Sequence, residues 1–150
     1  KRLVAWADVV AENFTPGTMA RWGLGYGELV KIKPDIIMLS TSMFGHGGPL
    51  SSQPGYGPVL SSLSGMTGIT GWPDREPLIG PEYLCGYIGG YTAAIAAEAA
   101  LGRRARTGRG EHVDLSTMEP MLTCTSRRSL GSRPASSASA AAATPRCTRS

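Results

Sequence analysis

Between Pro34 and a Gly/Pro-rich stretch, the segment Asp35-Ile36-Ile37-Met38-Leu39-Ser40-Thr41 is apolar without alternation. A strand with one face in water alternates apolar and polar residues. A short continuous apolar run instead reads as a strand of a parallel sheet covered on both faces. Parallel neighbours need crossover connections, so helices must lie between the strands. The remaining pattern supplies them. Val9 to Glu12 is a short strand. Residues 16–22 form a short helix broken at Gly23, and residues 27–32 a second helical segment stopped before Pro34. Residues 44–57 are a Gly/Pro-rich loop, and residues 58–65 are helical. Residues 88–101 are Ala-rich and helical, with Gly102 as C-cap and Arg103 and Arg104 at the negative end of the dipole. Residues 111–116 form another strand. The expectation is an α/β chain in which Val9 to Glu12 and Ile36 to Ser40 are adjacent parallel strands.

The junction Glu12-Asn13-Phe14-Thr15-Pro16-Gly17 follows the first strand. Thr15 suits an N-cap and Pro16 a first helical position, where a missing N–H costs nothing. In open α/β sheets, ligands bind outside the carboxyl ends of the strands. Asn13 and Phe14 stand there, one with an amide for hydrogen bonding and one with a flat ring for packing. An ordinary strand-to-helix junction would look the same.

Composition removes other classes. Three cysteines, an odd number and widely spaced, argue against a disulfide framework or a zinc site, and Cys85 and Cys124 read as buried small apolar residues. No apolar run reaches membrane-spanning length, and no signal peptide is visible, which suits a cytoplasmic protein. The net charge is +4, but five of the 15 basic residues, Arg127, Arg128, Arg133, Arg146 and Arg149, follow Glu119, the last of the 11 acidic residues. The remainder is near neutral, so no nucleic-acid role follows from the charge. Residues 126–150 are Ser, Ala, Arg and Pro with almost no large apolar side chain, too few to offset ordering entropy. A disordered tail is expected there. Such a composition arises in natural tails and in an out-of-frame reading of a GC-rich gene. The basic cluster of residues 103–110 could bind phosphate, but at a helix C-terminus it more simply complements the dipole.

Four segments in order carry a family resemblance. Asp8-Val9-Val10-Ala11-Glu12-Asn13-Phe14-Thr15-Pro16-Gly17 is followed by Arg21-Trp22-Gly23-Leu24-Gly25-Tyr26. Next come Phe44-Gly45-His46-Gly47-Gly48-Pro49 with Pro54-Gly55-Tyr56. Last is Arg106-Thr107-Gly108-Arg109-Gly110-Glu111-His112-Val113-Asp114-Leu115-Ser116. Together they resemble the signatures of the family III CoA-transferases, the carnitine dehydratase and bile-acid-inducible group. The resemblance covers residues 1–119 and implies a partial Rossmann-like CoA-binding domain, with residues 120–150 as a low-complexity tail. It also implies coenzyme A thioesters and carboxylic acids as substrates, no metal, and an interlocked dimer, homomeric or heteromeric, in the full-length protein. Asn13, Phe14 and Thr15 would lie along the CoA, Arg21 would face its phosphates, and Tyr56 would line the path to the thioester.

Enzymes of this family use an Asp nucleophile, through a mixed anhydride and an enzyme-bound thioester. That Asp lies four residues before a Gly opening an Ala-rich helix. Here the Gly is Gly90 and the residue four earlier is Gly86, which has no carboxylate. Glu82 and Glu98 are the nearby acids, both at separations that side-chain reach does not cover. The family's racemase branch pairs that Asp with a His where Tyr56 stands, so both members of that acid/base pair are missing. His46 and His112 lie off these positions and read as loop and strand-edge residues. Three readings stay open: a fragment of a CoA-transferase, a non-catalytic CoA-binding subunit paired with an active partner, and a gene remnant.

Overall fold

The structure is a computed structural model that describes residues 1–78 and 83–131. Three strands, β1 (Val9–Glu12), β2 (Ile37–Ser42) and β3 (His112–Ser116), form one sheet in the order β1-β2-β3. Both pairings are parallel. The register aligns Val9 with Ile37 and Met38 with His112, and sets Glu12, Ser40 and Asp114 in one row. The first two strands are thus adjacent and parallel, as the apolar runs required.

The β1-to-β2 crossover carries α1 (Thr18–Arg21) and α2 (Tyr26–Ile32). Leu29 of α2 seals one face of the sheet with Val4, Ile36 and Met38, all buried. The β2-to-β3 crossover carries α3 (Gly57–Leu63), a single 3₁₀ turn (Thr67–Ile69) and the long α4 (Leu84–Thr107). α4 lies across β2 and β3, and α5 (Met118–Gly131) packs beside it. Leu60, Cys85 and Met121 form the second core, with Met43, Phe44 and Ile88 against it. Two cores on the two faces explain why Ile37, Met38, Leu39 and Ser40 are all buried in sequence.

Several boundaries differ from the sequence reading. Thr15 is not an N-cap. Gly17, at φ 83° and ψ −9°, precedes α1, and the Thr18 N–H donates to the Thr15 carbonyl at 3.1 Å. Thr15-Pro16-Gly17-Thr18 is therefore a turn with Pro at its second position and a left-handed Gly at its third, the combination a type II turn demands. Gly102 does not end α4 either. The helix runs on to Gly108, whose φ of 68° supplies the left-handed cap and whose N–H donates to the Arg104 carbonyl at 2.7 Å. A lone Gly is tolerated within a helix whose flanks are good formers.

With this longer span, α4 is long and apolar enough to cross a membrane by length and composition, contrary to the expectation that no segment is. It instead covers the sheet, packing on β2 and β3. Tyr87, Tyr91 and Ile95 of α4 are exposed at intervals of four residues, in line with Tyr83 directly before it. Cys85 is buried, but Cys124, on α5, is exposed. The boundary after residue 119 falls inside α5, which continues to Gly131. Residues 132–150, the bulk of the expected tail, lie outside the described residues, as does Glu82.

The basic cluster holds elements together. Arg104 donates to the Asp8 carboxylate at 2.8 Å and to its backbone carbonyl at 3.3 Å, and Arg103 pairs with Glu111 at 2.9 Å. These contacts tie the end of α4 to the starts of β1 and β3. Hydrogen bonding from Arg104, its charge and that of Lys33 hold the Asp8 carboxyl below the usual range. Such exposed pairs set geometry more than stability. Gly110 is needed for the same approach, since a Cβ there would lie 2.0 Å from the Ile36 carbonyl oxygen.

Candidate functional site

Two adjoining cavities open at the carboxyl ends of β1 and β2. The first, about 220 Å³, is lined by residues 13–16, residues 42–44 and residues 51–55. The second, about 390 Å³, is lined by Asn13, residues 41–43 and Thr117 on one side and by Gly86, Gly89, Gly90 and Ala93 on the other. Asn13, Ser42 and Met43 border both.

Local sequence explains both walls. The residues of α4 at the second cavity are spaced three, four and seven apart, so they share one helical face. That face carries three glycines and an alanine, and the space beside it exists because no side chain fills it. At Gly89 this is obligatory, since a Cβ would lie 2.7 Å from Thr117 Cγ2. At Gly86 a Cβ would meet nothing within 4 Å. The opposite wall is fixed by the end of β3. The Thr117 and Met118 N–H groups donate to the carbonyls of Ser42 and Met43 at 2.8 and 3.0 Å, and Ser116 Oγ donates to Met43 at 3.2 Å.

The sequence-derived residues divide. Asn13, Phe14 and Thr15 come together at the first cavity, and Asn13 also reaches the second, beside Gly86. The Phe14 ring is half exposed and meets Trp22 edge-on, with centroids 5.0 Å apart. Arg21 lines neither cavity, and its guanidinium donates to Thr18 Oγ1 at 2.8 Å on the exposed side of α1. Tyr56, directly before α3, is 83% exposed and also outside both linings. Glu98 is exposed twelve residues beyond Gly86 along α4, about 18 Å at the helical rise, far outside side-chain reach.

Sequence reasoning missed a polar cluster behind the first cavity. Glu12, at the end of β1, is buried, and its Oε2 accepts the Phe14 N–H at 2.8 Å. Its Oε1 lies 3.4 Å from His46 Nε2. The His46 N–H reaches both Asp114 oxygens, at 3.0 and 2.9 Å. His112 hydrogen-bonds Ser40 at 2.9 Å and stacks on Tyr26 at 5.5 Å. Desolvation, joined by the nearby His46, outweighs Asp114 and Glu12 and lowers its pKa from 6.5. The usable signal was register. Once Glu12, Ser40 and Asp114 share a row, period-2 alternation puts His112 on the same face. Among the described residues, no group of three or more His, Cys, Asp or Glu side chains could hold a metal.

Comparison with known proteins supplies the context. The sequence model of CoA-transferase family III matches residues 1–146. The chain is 42% identical over 121 residues to the acetyl-CoA:oxalate CoA-transferase of Acetobacter aceti, covering 80% of this chain and 31% of that protein. It is 37% identical over 125 residues to the succinyl-CoA–L-malate CoA-transferase beta subunit of Chloroflexus aurantiacus, covering 83% and 31%. The crystal structure of a CaiB/BaiF family protein from Brucella suis superposes with a TM-score of 0.80 at 39% identity, over 86% of this chain and 34% of that one. The chain thus spans about a third of the length of these relatives.

Proposed function

Because the chain belongs to CoA-transferase family III, we propose that it forms the CoA-binding part of an enzyme that moves CoA between a thioester and a carboxylic acid. The CoA thioester lies along Asn13, Phe14 and Thr15, with its acyl carbonyl directed into the second cavity. Arg21 and Tyr56 stay on the ligand's outer path. The observation that carries this reading is the cavity shared by Asn13 and Gly86. It joins the junction after β1 to the helical turn that bears the family's nucleophile position.

The chemistry then divides between what this chain supplies and what it lacks. Transfer requires a carboxylate to attack the thioester carbonyl and expel the CoA thiolate, leaving a mixed anhydride. The thiolate then attacks the enzyme-side carbonyl of the anhydride, which forms an enzyme–CoA thioester and releases the first acid; the second acid runs the two steps in reverse, leaving as its CoA thioester and freeing the carboxylate. Gly86 offers the space for that carboxylate but no side chain. The chain's own contribution is to bind and orient the thioester. A second reading, a CoA-binding subunit whose partner holds the nucleophile, is favoured by the Chloroflexus aurantiacus relative, which is a beta subunit. Titration calorimetry of CoA into the chain tests the common core of both. Asn13→Ala and Phe14→Ala are each expected to weaken binding about tenfold, the loss of one good contact. Unchanged affinity in both variants would remove the assignment.

A further inference from the structure

The junction that holds Asn13 and Phe14 is not self-supporting. Asn13 to Pro16 form no strand or helix, and the turn of residues 15–18 fixes only their far end. The near end is held by Glu12. Its side chain is 2% exposed and folds forward so that one oxygen accepts the Phe14 N–H at 2.8 Å. Its other oxygen is buried, 3.4 Å from His46 Nε2, and both atoms lack a hydrogen-bond partner among the described residues. His46 is in turn fixed through its backbone N–H to Asp114 on β3. The glycine before it, Gly45, has φ 76°, so the backbone there takes a left-handed turn that brings His46 N–H onto the carboxylate. Thr41 Oγ1 donates to the Glu12 carbonyl at 3.2 Å and closes the link to β2.

A buried carboxylate is costly unless its oxygens are used. Here they join the two segments that form opposite sides of the first cavity, the residue 13–16 junction and the loop that begins at Met43. The Phe14 arm is a hydrogen bond at 2.8 Å, and the His46 arm is a 3.4 Å side-chain contact between two buried atoms that have no other partner among the described residues. We propose that Glu12 is a positioning residue of the CoA rim, its carboxylate clamping the Phe14 backbone to the His46 loop so that Asn13 and Phe14 present to the thioester in one geometry. This rests on the CoA reading above. His112, Asp114 and Tyr26 are the other titratable groups in the cluster, none of them in contact with Oε2 by hydrogen bond.

The test uses the full chain with Glu12→Gln, which keeps the shape and removes the charge, and His46→Gln as a second variant on the other side of the clamp. Two readouts are taken: the proton shift and exchange rate of the Phe14 amide, and CoA affinity by calorimetry. In Glu12→Gln the Phe14 amide is expected to move upfield and exchange at least tenfold faster, and CoA to bind about tenfold more weakly. In His46→Gln the amide is expected to stay near its original shift while CoA affinity falls by a few fold. A Phe14 amide unmoved by Glu12→Gln would overturn the clamp, whatever CoA does. An amide that moves while CoA affinity holds would overturn the positioning role. If the unaltered chain binds no CoA, the functional reading fails by itself, and the amide result still decides the clamp. Should Glu12→Gln fail to fold, an unchanged CoA affinity in His46→Gln would overturn the proposal.

Discussion

The two walls of the second cavity are built in opposite ways. The β1 wall is made of side chains, Asn13 and behind it Phe14, held by a buried carboxylate and a network across three strands. The α4 wall is made of Gly86, Gly89 and Gly90, where the backbone itself is the surface. One wall is specified by hydrogen bonds and the other by an absence of atoms. The two walls therefore depend on different residues, and each can be altered without the other.

Glycine substitutions separate the two kinds of glycine on the α4 wall. Gly89→Ala is expected to destabilise the fold by about 1–3 kcal/mol, because its Cβ would press on Thr117, which is fixed to Ser42. The midpoint of chemical denaturation reads this. A variant as stable as the parent would show that the α4 wall stands further from β3 than described.

Next in size is the side-chain wall. Phe14→Ala is expected to cost about 0.5–1.5 kcal/mol of stability through loss of the edge-on Trp22 contact, in addition to its effect on CoA. If Trp22→Leu and Phe14→Ala prove additive in a double-mutant cycle, the pair is not coupled and the rim is looser than drawn.

Gly86→Ala should act in the reverse direction to Gly89→Ala. With nothing within 4 Å of its Cβ and a helical backbone, it is expected to raise stability, by at most about 1 kcal/mol. Loss of stability would mean that the space beside Gly86 is already filled.

The smallest effect is on pH dependence. His112 has its pKa lowered in the folded state from 6.5, chiefly by desolvation. Below that value the unfolded chain takes up more protons than the folded one, so stability is complete above pH 6.5 and declines as pH falls towards the folded value. Melting temperatures from pH 8 to pH 5 are expected to fall in the parent and to flatten in His112→Gln. An equal fall in both would place the dependence elsewhere.

The sheet was legible because a run such as Ile36-Ile37-Met38-Leu39 has few other fates. The position of Asn13 and Phe14 was legible for a related reason, since strand ends in such sheets open outward. Helix limits were less so. Thr-Pro-Gly serves both as a helix start and as a type II turn, and local chemistry does not choose between them. Gly102 looked like an end because a partner of the last turns, Asp8, comes from a distant part of the chain. The Glu12 and His46 cluster was hidden for the same reason, because it exists only once three strands are in register.

We propose that this chain carries the CoA rim without the nucleophile. The most direct measurement is incubation of the chain with an acyl-CoA, followed by intact mass after hydroxylamine treatment and by CoA affinity on the same preparation. Measurable CoA binding that depends on Asn13 and Phe14 is expected, with no acyl or CoA adduct and no hydroxamate formed on any carboxylate. A covalent adduct mapped to a side chain of this chain, with Glu82 the first to examine, would contradict it.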